Sequence, residues 1–122
     1  MSRVIAIVNQ KGGVGKTTTA INLGAALAVA DRRTLLVDMD PQCNATSGLG
    51  LDPQEGNATI YDVLVRSQDA REAVTEAIQF ELLDLIPSTR GLAGAEIEMV
   101  EVPARETLLR RSLDPIREHY DY

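Results

Sequence analysis

At 122 residues the chain fits one modest domain, and its 44% hydrophobic content is that of a globular protein. One cysteine excludes an intramolecular disulfide, no stretch resembles a signal peptide, and no apolar run approaches the ~20 residues of a membrane span. The net charge of −6 lies in the second half: residues 1–60 carry five basic and five acidic side chains, residues 61–122 seven and thirteen. That is a poor electrostatic footprint for DNA, and no aromatic-basic interleaving suggests base stacking. A cytosolic protein is expected.

In chain order, Arg3 to Val8 reads as a first strand, apolar on both faces as a covered parallel strand would be. It runs into Lys11-Gly12-Gly13-Val14-Gly15-Lys16-Thr17-Thr18, a phosphate-binding loop. Glycines let the backbone wrap an anion with its N–H groups turned inward. Lys16 meets the outer phosphates, Thr17 supplies a hydroxyl suited to Mg²⁺, and the next helix presents its positive end to the same group. The general pattern G-x-x-x-x-G-K-[ST] fails at Gln10, so this is a variant with an extra lysine.

A helix over Lys16 to about Ala30 follows, in which Gly24 suits close packing on a sheet. Thr34–Val37 reads as a second strand ending in Asp38. Residues 44–53 read as loop, a short helix starts near Asn57 or Thr59 and reaches Leu64 or Val65, and another covers Ala70–Ile78. Glu81–Pro87 reads as a third strand, with Asp84 marking it as an edge or part-exposed strand. Ala93–Glu98 reads as a solvent-facing helical piece, and residues 104–113 as a helix after Pro103, kinked or restarted at Asp114-Pro115. The alternation gives an α/β fold with a parallel sheet and the loop at the carboxyl end of the first strand. Cys43, Asp52 and His119 read as a small structural residue, a turn residue and a surface residue.

The run Lys11-Gly-Gly-Val-Gly-Lys16-Thr-Thr resembles the deviant Walker A motif of the ParA/Soj partition ATPases, MinD and the nitrogenase iron protein. Asp38-Met-Asp40-Pro41-Gln42-Cys43-Asn44-Ala45-Thr46 and the Asn9-Gln10 pair favour ParA/Soj among these. The resemblance implies a P-loop NTPase fold with a mostly parallel sheet flanked by helices. Residues 1–122 would be the N-terminal part of a single P-loop ATPase domain of the AAA_31/CbiA-like kind, ending before the Walker B strand that lies beside strand one. It implies ATP and Mg²⁺ as ligands, with contacts from Lys11, Gly12, Gly13, Val14, Gly15, Lys16, Thr17 and Thr18. It further implies that Lys11 reaches across an ATP-sandwiched homodimer to the partner's phosphates. Asp40 would orient the attacking water, and Asp38 would lie near the metal with Thr17. The plainer reading of Asp38-x-Asp40 is a turn-capping pair.

The function implied is a partition protein for chromosome or plasmid segregation. It would dimerise on ATP, bind DNA non-specifically through segments not in these residues, and be stimulated by a ParB/Spo0J-type protein. It would be cytoplasmic, associated with the nucleoid and not with a membrane. The alternatives are a MinD-like division-site ATPase and a non-catalytic nucleotide-binding fragment. The 122 residues alone are expected neither to hydrolyse ATP nor to bind DNA.

Overall fold

The computed structural model describes residues 2–8, 15–52 and 56–122. Its centre is a parallel pair, β1 (Thr34–Val37) and β2 (Leu83–Ile86), in the register Thr34↔Leu83 to Val37↔Ile86. Alternation along these strands sends side chains to two cores. Leu36, Leu83 and Leu85 join Ala28 and Leu49 on the face covered by α1 (Lys16–Val29). Leu35, Val37 and Ile86 join Ile60, Val63, Leu64 and Ile116 on the other. Apolar cover on both faces is what a parallel sheet requires. Gly24 lies where α1 meets β2, since a β-carbon there would stand 3.2 Å from Leu83 Cδ1.

The opposite face is covered by α3 (Ile60–Val65), α4 (Ala70–Ala73), α5 (Ala95–Glu98) and α6 (Leu108–Leu113), with α2 (Asn44–Gly48) beside α1. A capping box starts α3: Thr59 Oγ1 accepts the Tyr61 N–H at 3.2 Å and Asp62 Oδ2 accepts the Thr59 N–H at 2.9 Å. Outside β2, Thr75 pairs antiparallel with Leu85. Asp84 is half-buried there, accepting from the Ala77 N–H at 2.9 Å and the Tyr120 hydroxyl at 2.8 Å. Burial and that carboxylate both hold the Tyr120 phenol well above its usual range.

Four elements depart from expectation. Residues 3–8 are not a strand. Val and Ile favour a strand only with ladder partners and cover, and among the described residues no strand lies against this run. Val4 and Val8 are 72% and 82% exposed. The Arg3 N–H donates to Asp121 O at 2.9 Å. Tyr122 in turn lies opposite Thr34 in the parallel pattern: its N–H donates to Arg33 O at 3.2 Å and its carbonyl accepts from the Leu35 N–H at 3.0 Å. So residues 121–122 stand between the N-terminal segment and β1, and beyond them the two are separated by a groove that both line.

The expected loop over 44–53 opens with α2, whose third amide is capped from a distance, as described below. The helix expected to reach Ile78 ends at Ala73, because Val74 turns extended (φ −77°, ψ 127°) and Thr75 joins Leu85. The helix expected over 104–113 begins as a 3-10 turn, Arg105–Thr107, and becomes α-helical only at Leu108; a second 3-10 turn, Asp114–His119, follows with Pro115 near its start.

Candidate functional site

The site is built at the carboxyl end of β1 and the amino end of α1. Gly15 precedes the helix with φ 88° and ψ 8°, a left-handed conformation that glycine adopts without a Cβ penalty. Its carbonyl accepts the first ladder bond, from the Thr19 N–H at 2.8 Å. The N–H groups of Lys16, Thr17 and Thr18 come before that bond and have no acceptor within the helix. Gly15 brings no side-chain cap and the first turn holds no acidic residue, so among the described residues nothing neutralises the positive end of α1.

Lys16 and Thr17 line the same groove, of about 610 Å³, as Asp38 and Asp40. Residues 2–8 and β1 form its walls, so it is continuous with the gap beside the sheet. Of the residues read as the site, Gly15, Lys16, Thr17, Thr18, Asp38 and Asp40 are described, and four of them meet here. Thr18 is exposed on the first turn of α1. Lys11, Gly12, Gly13 and Val14 lie outside the described residues.

Asp38 is buried, 4% exposed, and heavily bonded. Its Oδ1 accepts the Asp40 N–H at 3.0 Å. Its Oδ2 accepts the Thr46 N–H at 2.9 Å and the Thr46 hydroxyl at 2.6 Å. Thr46 is the third residue of α2, so Asp38 does for that helix what a side-chain cap does, from eight positions upstream. Asp40 is half-buried: Oδ1 accepts the Gln42 N–H at 2.9 Å and Oδ2 accepts Asn44 Nδ2 at 3.1 Å. Both aspartates therefore make the two-residue turn bonds of the plainer reading. A carboxylate oxygen has two acceptor sites, so Asp40 holds acceptor capacity beyond these bonds.

Cys43 is buried with φ 58° and donates weakly to Pro41 O at 3.5 Å. Burial first, with the nearby Asp38 and Asp40 charges adding, lifts its thiol above the usual range, as suits a structural residue rather than a nucleophile. His119 is exposed.

Two residues of this site were missed by sequence reasoning. Thr46 and Ser88 are fully buried and joined by a bond from the Ser88 N–H to Thr46 Oγ1 at 2.9 Å. Ser88 stands two residues past β2, at the carboxyl edge where parallel sheets place their ligand sites, and that position was a usable signal. Thr46 closes the Asp38–Thr46 run, but its spacing alone says nothing of a bond to Asp38.

A parallel sheet flanked by helices, with a glycine-led helix terminus at one sheet edge, is the arrangement of the P-loop class of α/β proteins, to which the similar solved structures below belong. Residues 2–122 match the family described as AAA domain (AAA_31). The chain is 52% identical over 122 residues to the sporulation initiation inhibitor protein Soj of Bacillus subtilis, covering 100% of this chain and 48% of Soj. It is 51% identical to the chromosome partitioning protein ParA of Myxococcus xanthus, covering 100% of this chain and 43% of that protein. The chain belongs to the AAA_31 family, and its similarity to Soj and ParA runs over its whole length. It spans about half the length of these curated relatives. Among solved structures, it is similar to a cobyrinic acid a,c-diamide synthase from Mycobacterium smegmatis with bound ATP analog and magnesium. The TM-score is 0.92 at 39% identity, over 99% of this chain and 49% of that one. Among the described residues, no helix is long and apolar enough to cross a membrane.

Proposed function

We propose that the intact protein is a ParA/Soj-type ATPase that partitions chromosomes or plasmids. The observation that carries this reading is the meeting of Lys16, Thr17, Asp38 and Asp40 on one groove at the end of β1. These residues fit a polyphosphate and a divalent cation: an ammonium, a hydroxyl, an open helix N-terminus and carboxylates of opposite charge to the metal.

Hydrolysis of the terminal phosphoryl group needs positioning and charge neutralisation more than covalent chemistry. The Lys16 ammonium and the first N–H groups of α1 would hold the phosphate oxygens and stabilise the charge that develops on them. The Thr17 hydroxyl would ligate Mg²⁺, with Asp38 behind it. Mg²⁺, when bound, supplies further neutralisation of the phosphates. Asp40 would accept a hydrogen bond from the attacking water and orient it toward phosphorus. Lys11, with Gly12, Gly13 and Val14 around the phosphates, would act across a homodimer closed on ATP, as a finger supplied in trans. Dimerisation on ATP, non-specific DNA binding, stimulation by a ParB/Spo0J-type protein and a cytoplasmic, nucleoid-associated location complete the reading. They are supported by the similarity to Soj and ParA.

The test is Lys16→Ala in the full-length protein. Calorimetric titration with Mg-ATP and phosphate release should both fall to background. Wild-type affinity together with wild-type turnover would sink the assignment.

A further inference from the structure

The bonds around Asp38 close into a ring. From Asp40 N–H the ring passes to Asp38 Oδ1, and from Asp38 Oδ2 to the Thr46 hydroxyl. From Thr46 Oγ1 it passes to the Ser88 N–H, and Ser88 Oγ returns to the Asp40 carbonyl at 2.7 Å. Thus the ring begins and ends on the two main-chain polar groups of one residue, Asp40. It joins three segments far apart in sequence: the end of β1, the start of α2 and the end of β2. Each hydroxyl has only one proton. The Thr46 proton goes to the Asp38 carboxylate, so its oxygen must face the Ser88 N–H. The Ser88 hydroxyl reaches two carbonyls, that of Asp40 at 2.7 Å and that of Thr89 at 3.5 Å, and the shorter bond takes its proton. Every donor in the ring has one assigned acceptor, and Asp38, Thr46 and Ser88 are buried at 4%, 0% and 0% exposure.

We infer that Thr46 and Ser88 are positioning residues that fix the Asp40 main chain, and through it the aim of the Asp40 carboxylate, by this closed ring. The inference rests on the ATPase reading above for what Asp40 does, though not for the ring itself. A charge-assisted bond of 2.6 Å in a buried setting is strong and directional. A group that orients a reacting water acts on the transition state. A small error in its aim therefore costs turnover while leaving the ground-state phosphate contacts in place. Thr46→Ser keeps donor and acceptor. Thr46→Val keeps shape and removes both, leaving the Ser88 N–H buried without its acceptor and Asp38 Oδ2 with only the main-chain N–H of residue 46.

The experiment measures kcat and KM for ATP in the full-length protein with Thr46→Val, Thr46→Ser and Ser88→Ala, together with backbone hydrogen exchange at the Asp40 and Thr46 amides. In Thr46→Val, kcat should fall by about 10–100-fold, the scale for groups that orient a reacting ligand, with KM within about twofold. Thr46→Ser should restore kcat to near wild type, and Ser88→Ala should lower it with KM again steady. Exchange at Asp40 should quicken in Thr46→Val and Ser88→Ala but not in Thr46→Ser. Equal kcat in the valine and serine variants would overturn the inference, as would a rise in KM with kcat unchanged. If Thr46→Val does not fold, Ser88→Ala against Thr46→Ser decides on the same two readouts. A wild-type protein without turnover would sink the ATPase reading instead. The ring would then stand or fall on the exchange pattern alone.

Discussion

Asp40 is held at every polar atom. Its N–H goes to Asp38, its carbonyl accepts from Ser88 Oγ and from the Cys43 N–H, and its two carboxylate oxygens accept from Gln42 and Asn44. Such a side chain cannot swing far to meet a ligand, so what it contributes must be present before the ligand arrives. For a water-orienting group, that preorganisation matters in the transition state more than in the bound ground state. Asp40→Ala in the full-length protein should therefore hydrolyse ATP at least about 100-fold more slowly in a single turnover, the low end for removing a preorganised catalytic group. It should keep ATP affinity and so accumulate the ATP-bound form. Wild-type single-turnover hydrolysis would remove Asp40 from the chemistry. Loss of ATP binding would make it a support of the fold or the metal. The same loop shows how far residue reading goes. The two aspartates were legible from Asp38-x-Asp40, and so was their turn-capping habit. The partners that aim them were not, because Thr46 and Ser88 reach the loop only through tertiary contact.

At the scale of elements, what the sequence made legible is what local chemistry decides. Thr34–Val37 is a strand with its predicted bounds, since β-branched Thr34 and Val37 around two leucines, between Arg33 and Asp38, suit a short covered strand. The helix after Thr59 begins where its capping box begins. The N-terminal Val/Ile run has a strand's composition, yet a strand is a relation between neighbours, and none of the described strands flanks it. The short helix Asn44–Gly48 has a loop's composition, and the buried Asp38 carboxylate, six residues before its start, caps the N–H of its third residue.

Gly24 tests the packing of these layers. Gly24→Ala would gain roughly 1 kcal/mol of helix propensity, but its methyl would meet Leu83 Cδ1 at 3.2 Å. Gly24→Val adds two more methyls to the same buried contact between α1 and β2. It should destabilise the protein by about 1–3 kcal/mol, the cost of overpacking a filled core. Thermal unfolding by circular dichroism measures this. A melting temperature equal to or above wild type would mean that α1 can lift from the sheet, and that Gly24 does not set their spacing.

For the 122 residues as a whole, the decisive feature is the groove between the N-terminal segment and β1. Val4, Ile5 and Val8 are 72%, 52% and 82% exposed along it. Leu35 gives its N–H to Tyr122, and by strand alternation Val37 presents its N–H to the same groove two residues on. An apolar surface joined to a strand edge invites pairing with another chain. Apolar burial is worth about 25 cal/mol per Å², so covering even a few such side chains yields several kcal/mol. The purified 122-residue chain should therefore associate with itself in a concentration-dependent way and bind a hydrophobic dye, without needing nucleotide. Light scattering after size exclusion, run from roughly 1 to 100 μM to span the range where exposed apolar edges drive association, gives the mass directly. Placing a charge on the exposed run, as in Val4→Lys with Val8→Lys, should shift the chain toward monomer and lower dye binding, because a charged edge resists pairing. A monomer throughout that range with no dye uptake would show that the segment closes onto the sheet in solution. An oligomer indifferent to the two lysines would place the contact elsewhere, with the exposed Ile97 and Val100 as the next surface to probe.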